Sequence, residues 1–371
     1  MKKLGFGLMR LPLLDGSERG SIDIEQAKKM TDMFLERGFT YFDTAWMYHD
    51  FKSEEAVKEI LTDRYPRERY QLATKLHADY FDSRQEMEEV FSSQLTKTNA
   101  SYFDFYLLHD TNRRYYEKYS DLGCFEWLEA KKEQGLVKHM GFSFHDGPDV
   151  LDQILTEHPE MEFVQLQINY LDWESSDVQS RANYEVARAH GTPIIIMEPV
   201  KGGILSMLPY QAEKLMKEAH PDWSCAEWAV KFAAGLDGVM MVLSGMSSLK
   251  QMDDNTSYMS DFKGLTDADK EIIAGCVDII NKGVKIPCTG CGYCTDGCAA
   301  AIPVPTYMSL FNAANKGKAL EQKKRYDELI QKFPPASSCV GCGQCELICP
   351  QHLPVKKHMA EIAEYFEGDK A

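Results

Sequence analysis

The chain has 371 residues, with Lys+Arg 41 against Asp+Glu 57, a formal net charge of -16. That acidity excludes a nucleic-acid partner as an expectation, because neutralising phosphates needs clustered Lys and Arg. Hydrophobic residues at 44% exclude general disorder, and no run nears the ~18 apolar residues of a membrane helix.

Short apolar runs read as strands at 4–8, 40–43, 70–74, 103–108, 137–143, 163–167, 193–197 and 239–243. Between them, amphipathic segments at 24–37, 54–64, 84–96, 125–134 and 148–158 read as helices. Their ends carry signals: Asp23 before Ile24, Gly38 after Arg37, Gly135 after Gln134. The run Ile194-Ile195-Ile196 predicts a strand buried on both faces. Strand and helix alternating eight times predict an α/β fold, a (β/α)8 TIM barrel over residues 1–280. A doubly wound sheet is the alternative, but no G-x-G-x-x-G follows the first strand, and Gly5-Phe6-Gly7 is too short.

The pattern changes after residue 280. Residues 283–305 are rich in Cys, Gly and Pro, and a helical region at 306–333 carries Lys316, Lys318, Lys323, Lys324, Arg325 and Lys332. An amphipathic stretch at 354–366 ends the chain. Residues 281–371 are therefore expected to form a small, mainly helical C-terminal domain.

Cysteine usage is uneven. Of 11 cysteines, Cys124, Cys225 and Cys276 stand alone and are expected to pack as small hydrophobes. The other eight form two runs, Cys288-x2-Cys291-x2-Cys294-x3-Cys298 and Cys339-x2-Cys342-x2-Cys345-x3-Cys349-Pro350. This is the spacing of bacterial ferredoxins, where ligands at every third residue wrap a cubane and the fourth Cys serves the other cluster. The rule assigns Cys288, Cys291, Cys294 and Cys349 to one [4Fe-4S] cluster, and Cys339, Cys342, Cys345 and Cys298 to a second. Zinc also takes four thiolates, but its sites are built from separated C-x-x-C pairs. Ala299 stands where a Pro often follows the fourth Cys, and Pro350 keeps that place. The long helical linker between the runs favours a helical ferredoxin-like domain. Thiols used this way, with no signal peptide, predict a reduced, cytoplasmic protein. The basic stretch between the runs is a candidate docking site for an electron-transfer protein.

In the first 280 residues, polar side chains gather at strand ends. The second strand runs into Asp43-Thr-Ala-Trp-Met-Tyr48, the third ends at Lys75, and the fourth at His109-Asp110. In a barrel, chemistry sits at the C-terminal ends of the strands. Arg10 and His145 follow strands toward the same end.

Here the chain resembles the aldo-keto reductase superfamily. The matching residues are Gly7 with Met9-Arg10, Phe42-Asp43-Thr44-Ala45-x-x-Tyr48, Ala73-Thr74-Lys75, Leu107-Leu108-His109, Gly141-Phe142-Ser143, Gln165-x3-Asn169, Glu198-Pro199 with Gly202-Gly203, and Ser244-Gly245 leading to Asn255. The second cysteine run resembles the subgroup with an appended [4Fe-4S] domain. The resemblance implies reduction of an aldehyde or ketone, with Tyr48 as general acid, Lys75 lowering its pKa, Asp43 holding Lys75, and His109 orienting the substrate oxygen. It implies NAD(P)H contacts at Ser143, Gln165, Asn169, Glu198, Gly245, Gln251 and Asn255. The pattern departs at Phe144, in place of an amide-binding Asn, and at Met197, in place of a stacking aromatic. Gly245, Met246 and Gln251 replace the Lys, Ser and Arg that often meet a 2′-phosphate, with Lys250 nearby. Hydride chemistry and one-electron clusters need an adapter, so two alternatives stand beside the carbonyl reductase. One is a flavin-dependent reductase fed by the clusters, since a flavin does both kinds of chemistry. The other is a non-enzymatic redox sensor or electron carrier.

Overall fold

The computed structural model describes residues 2–16, 18–315 and 319–368. Eight parallel strands close on themselves in sequence order: β1 (Leu4–Gly7), β2 (Tyr41–Asp43), β3 (Gln71–His77), β4 (Phe103–Thr111), β5 (Val137–Phe144), β6 (Phe163–Gln167), β7 (Ile194–Met197) and β8 (Val239–Ser244). β1 pairs with both β2 and β8, which closes the ring. The predicted TIM barrel is thus the observed fold.

Successive strand residues face opposite sides, and the barrel uses both. Tyr41, Ala73, Phe105, Leu107, Phe163, Ile195, Met241 and Leu243 form one buried apolar cluster. The same period of two carries Asp43, Lys75, His77, His109, Gln165 and Gln167 onto that face, one or two steps further along their strands. The alternate positions, such as Phe6, Phe42, Tyr106, Phe142 and Val164, belong to the larger cluster between the strands and helices. The barrel interior is therefore apolar in its lower part and polar at the C-terminal rim.

Helix entries follow the sequence signals. Asp23 caps Ile24–Glu36 by accepting from Gln26 N, and Ser83 caps Arg84–Thr98 by accepting from Glu86 N. The segment predicted as one helix at 54–64 is divided into a helical turn, Ser53–Val57, and a wider π-type turn, Lys58–Thr62. β3 and β4 run past their predicted ends at 74 and 108, so Lys75 and His109 lie within strands.

The chain divides into two compact units. One comprises Met1–Ser175, Gln179–Val200 and Ala226–Thr266, and holds all eight strands. The other comprises Ser176–Val178, Lys201–Cys225 and Asp267–Ala371. The boundary expected at 280 falls inside the helix Asp267–Gly283.

The second unit is mainly helical, with Val304–Ala313, Ala319–Leu329 and Val355–Glu367 around an apolar core of Tyr307, Met308, Tyr326, Met359, Ile362 and Phe366. Tyr326 stacks on Phe366 with centroids 4.7 Å apart. Its hydroxyl donates to Glu367 Oε1 and accepts from Ala336 N at 2.8 Å. Cys124, Cys225 and Cys276 are buried, as expected of packing thiols. No helix among the described residues is long and apolar enough to cross a membrane.

Replacing Tyr326 by Phe keeps the stack but leaves the buried Ala336 N–H without its acceptor. Such a loss costs about 1–3 kcal/mol. Tyr326→Phe is expected to lower the denaturant midpoint of the second unit, read by proteolysis within the C-terminal helices, and leave the barrel transition in place.

Candidate functional site

At the rim of the barrel, Lys75 on β3 is 1% exposed. Its Nζ donates to Asp43 Oδ1 at 2.6 Å and to Thr44 O at 2.7 Å. Asp43 ends β2, and its other oxygen accepts from Gln165 Nε2 on β6 at 3.3 Å. Tyr48 opens the short turn Tyr48–Phe51. Lys75 Nζ lies 5.0 Å from the Tyr48 ring centroid. His49 and Asp50 take left-handed dihedrals. The His49 ring is pinned between Arg19 O and Leu11 N, which holds the turn that presents Tyr48. His109 on β4 completes the group, its ring 6.0 Å from that of Tyr48. The four residues expected at three strand ends therefore converge.

Their charge states follow from burial and proximity. Burial works against the Lys75 ammonium, but Asp43 and Tyr48 outweigh it and hold its pKa above the ordinary lysine value. Burial raises the Tyr48 pKa, and Lys75 pulls it down; the net direction is up. The expected downward pull of Lys75 on Tyr48 is present, and the loss of water around the phenol is larger. Tyr48 is thus a neutral phenol at pH 7, holding the proton a general acid needs. Burial pushes the His109 pKa well below its usual value, reinforced by Lys75, His77 and His145. His109 is therefore neutral, and its buried Nδ1 has no hydrogen-bond partner.

Two residues of this region escaped the sequence reading. His77 lies two residues beyond Lys75 on the same face of β3, its ring 5.3 Å from His109 and its Nε2 3.6 Å from Asp110. The period of two from Ala73 through Lys75 points to it once β3 is extended. Glu54 is fully buried behind β3, and its Oε1 accepts from Thr74 Oγ1 at 2.7 Å and Gln94 Nε2 at 2.8 Å. Its Oε2 has no partner. Nothing in the local pattern separates Glu54 from its exposed neighbour Glu55.

The expected cofactor contacts are placed unequally. Ser143 Oγ accepts from Asp110 N at 2.9 Å and keeps its own proton to donate. Gln165 spends its amide nitrogen on Asp43, leaving its carbonyl oxygen. Asn169 is committed to the loop after β6: it donates to Asp172 and Glu198 O and accepts from Leu171 N and Asp172 N. Glu198 has a positive φ and an ion pair to Arg10 at 3.5 Å. Gly245 lies against the Arg10 side chain. Gln251 forms a reciprocal cap with the 247–248 segment, accepting from Ser247 N while Ser248 Oγ accepts from Gln251 N. Asn255 accepts from Ser244 Oγ at 2.8 Å. Phe144 is buried in the outer core, and Met197 ends β7.

In the second unit, the two cysteine runs have matching backbones. Gly290 and Gly292 have φ of +68° and +88°; Gly341 and Gly343 have +69° and +78°. These left-handed values favour glycine, and each pair leads into one helical turn, Tyr293–Asp296 or Gln344–Leu347. One cavity of about 320 Å³ is lined by Cys288, Cys291, Cys294 and Cys349. Another of about 390 Å³ is lined by Cys298, Cys339, Cys342 and Cys345. Each takes three thiols from one run and one from the other. Among the described residues no three ligating side chains meet closely enough to hold a single metal ion; the two sets of four surround volumes instead. Four soft thiolates around such a volume suit an iron–sulfur cubane. Backbone N–H groups already reach two of the sulfurs, from Gly290 to Cys288 and from Ile302 to Cys298. Burial pushes the Cys345 thiol up to about 11 and raises Cys294 and Cys349 as well, with neighbouring thiols adding to the rise at Cys294 and Cys345.

In the basic stretch, Lys323 is paired with Asp327 at 2.6 Å, while Lys324, Arg325 and Lys332 are exposed. Lys316 and Lys318 lie outside the described residues.

Burial pushes the Glu54 carboxyl from 4.5 up to about 7. The folded chain then binds a proton more tightly than the unfolded one, and stability falls as pH rises between those values. Glu54→Gln should remove that slope, so the variant's denaturant midpoint should rise relative to that of wild type from pH 5 to pH 8. Parallel curves would overturn the assignment.

The aldo/keto reductase family model matches residues 3–278, and a 4Fe-4S dicluster domain model matches residues 287–353. The uncharacterized oxidoreductase YqkF of Bacillus subtilis (strain 168) is 24% identical over 285 residues, covering 69% of this chain and 86% of its own length. An aldo-keto reductase from Bacillus halodurans, solved in its holo form, is 25% identical with a TM-score of 0.60, covering 74% of this chain and 91% of that one. A Klebsiella pneumoniae aldo-keto reductase solved with NADPH is 19% identical with a TM-score of 0.59, covering 74% and 90%; at that identity the likeness speaks for the fold alone. With the barrel closed, polar groups gathered at its rim and thiols gathered in the second unit, the chain belongs to the aldo/keto reductase family of oxidoreductases and carries a C-terminal 4Fe-4S dicluster domain.

Proposed function

We propose that the protein reduces an aldehyde or ketone at the barrel rim with NAD(P)H, and that its C-terminal domain, residues 281–371, holds two [4Fe-4S] clusters for electron transfer. The observation that carries the first half is the buried Lys75 ammonium, held by Asp43 beside a neutral Tyr48 and a neutral His109.

A nicotinamide held by Ser143 and Gln165 would supply, when bound, the hydride for the carbonyl carbon. Tyr48 gives its hydroxyl proton to the carbonyl oxygen in the same step. The phenolate left behind is stabilised by Lys75, whose charge is already present and needs no reorganisation. Water then returns the proton to Tyr48. His109, neutral and with an unpartnered Nδ1, is suited to hydrogen-bond the substrate oxygen without competing as a strong acid. Asp43 acts through Lys75 and keeps it charged.

The Ser143 hydroxyl proton and the Gln165 carbonyl oxygen offer one donor and one acceptor, which suits a carboxamide. Arg10, ion-paired with Glu198, and Lys250 are the cations proposed to meet phosphate groups. Asn169 and Gln251 would act indirectly, by shaping loops.

The two thiol-lined cavities support the exchange of the fourth ligand between runs, with Cys288, Cys291, Cys294 and Cys349 on one cluster and Cys298, Cys339, Cys342 and Cys345 on the other. An electron-transfer protein with an acidic face would dock on Lys324, Arg325 and Lys332.

Tyr48→Phe is expected to lower kcat/KM for aldehyde reduction at least ~100-fold, with NADPH binding retained by fluorescence titration. Unchanged turnover would overturn the role of Tyr48. A second check is the anaerobically purified chain, which should hold about eight irons and eight sulfides, two cubanes' worth, and consume NADPH. A flavin spectrum with no NADPH consumption would overturn the nicotinamide reading.

A further inference from the structure

The two cysteine-lined cavities differ in the cations around them. Lys201 begins the turn Lys201–Ser206 and is 2% exposed. Its Nζ donates to Gln351 Oε1 at 2.8 Å. Gln351 is also buried, follows Cys349 by two residues, and lines the cavity of Cys288, Cys291, Cys294 and Cys349. The next residue, Gly202, has a φ of +62°, and a Cβ there would collide with Thr289 O. Thr289 lies between Cys288 and Cys291 and lines the same cavity. The turn therefore presses on both loops that supply this cavity's thiols.

The other cavity has Lys356 on its lining. That side chain is half-exposed and ion-paired with Glu346 at 3.1 Å. Water and a carboxylate screen it. Lys201 is buried where Lys356 is exposed.

A cubane with four thiolates is an anion, and reduction makes it more negative. A buried cation acts more strongly on that added electron than an exposed one. We propose that Lys201 is a positioning residue for the cluster of Cys288, Cys291, Cys294 and Cys349: its ammonium offsets the electron this cluster takes up and makes it the more easily reduced of the two. The proposal rests on the ligand sets given under the proposed function.

The test is an anaerobic redox titration of the full chain with dithionite and mediators, followed by electron paramagnetic resonance. Lys201→Met should shift one cluster's equilibrium about tenfold against reduction, which is 59 mV for a one-electron couple. The other midpoint should stay in place, and Lys201→Arg should stay near wild type. Cys349→Ser should disturb the same signal that Lys201→Met shifts. Two unchanged midpoints, equal shifts in both clusters, or an Arg variant that behaves like Met would each overturn the proposal. Should Lys201→Met lose iron, Lys201→Gln keeps a polar partner for Gln351 without the charge and supports the same comparison. Iron analysis of the wild type separates the two readings: fewer than two clusters overturns the ligand sets, whereas a full complement with unmoved midpoints overturns only the role of Lys201.

Discussion

The buried pair of Lys75 and Asp43 is the constraint on which the barrel rim depends. Neither charge is tolerable alone at that depth; removing one partner of such a pair typically costs ~3–5 kcal/mol. The pair survives because three strands meet it. β2 brings Asp43, β3 brings Lys75, and β6 reaches across with Gln165. The ammonium thus stays charged in a place where burial would neutralise it. Tyr48 and His109 take their protonation states from the same surroundings. One is a phenol that has lost water, and the other an imidazole that cannot afford a charge beside a permanent cation.

The second unit solves a different problem with the opposite sign. The thiols of its two cysteine runs crowd together, and burial raises the pKa of Cys294, Cys345 and Cys349. A positively charged core would relieve that crowding. Because each cavity draws its fourth thiol from the distant run, filling them would tie residues near 290 to residues near 350. Cluster assembly and folding of this small helical unit are then coupled, as is usual for small metal-bearing domains. Its apolar core around Tyr307, Tyr326 and Phe366 supplies the rest.

Much of this was legible in the residues. Ile194-Ile195-Ile196 announced a strand buried on both faces, and the spacing of the eight cysteines announced two sets of four with one exchanged ligand. Local chemistry of that kind survives in a linear string, because ligand spacing and strand period are short-range. Other residues were opaque. Gln251 has the residue type of a cofactor contact, yet its side chain closes a helix N-terminus. Asn169 likewise turns inward to its own loop. Glu54 and Glu55 are neighbours of identical type, and only packing against Thr74 and Gln94 makes the first a buried acid.

The sequence by itself therefore determined the alternation of strands and helices, the cysteine spacing, and the polar residues that follow β2, β3 and β4. Tertiary structure decided which of those residues touch and what charge they carry. The pKa of Tyr48 is the clearest instance. From the string alone Lys75 should lower it, but closing the barrel removes the water that would have supported the phenolate, and that loss outweighs the cation. Burial is a property of the whole ring of strands, and no local pattern encodes it.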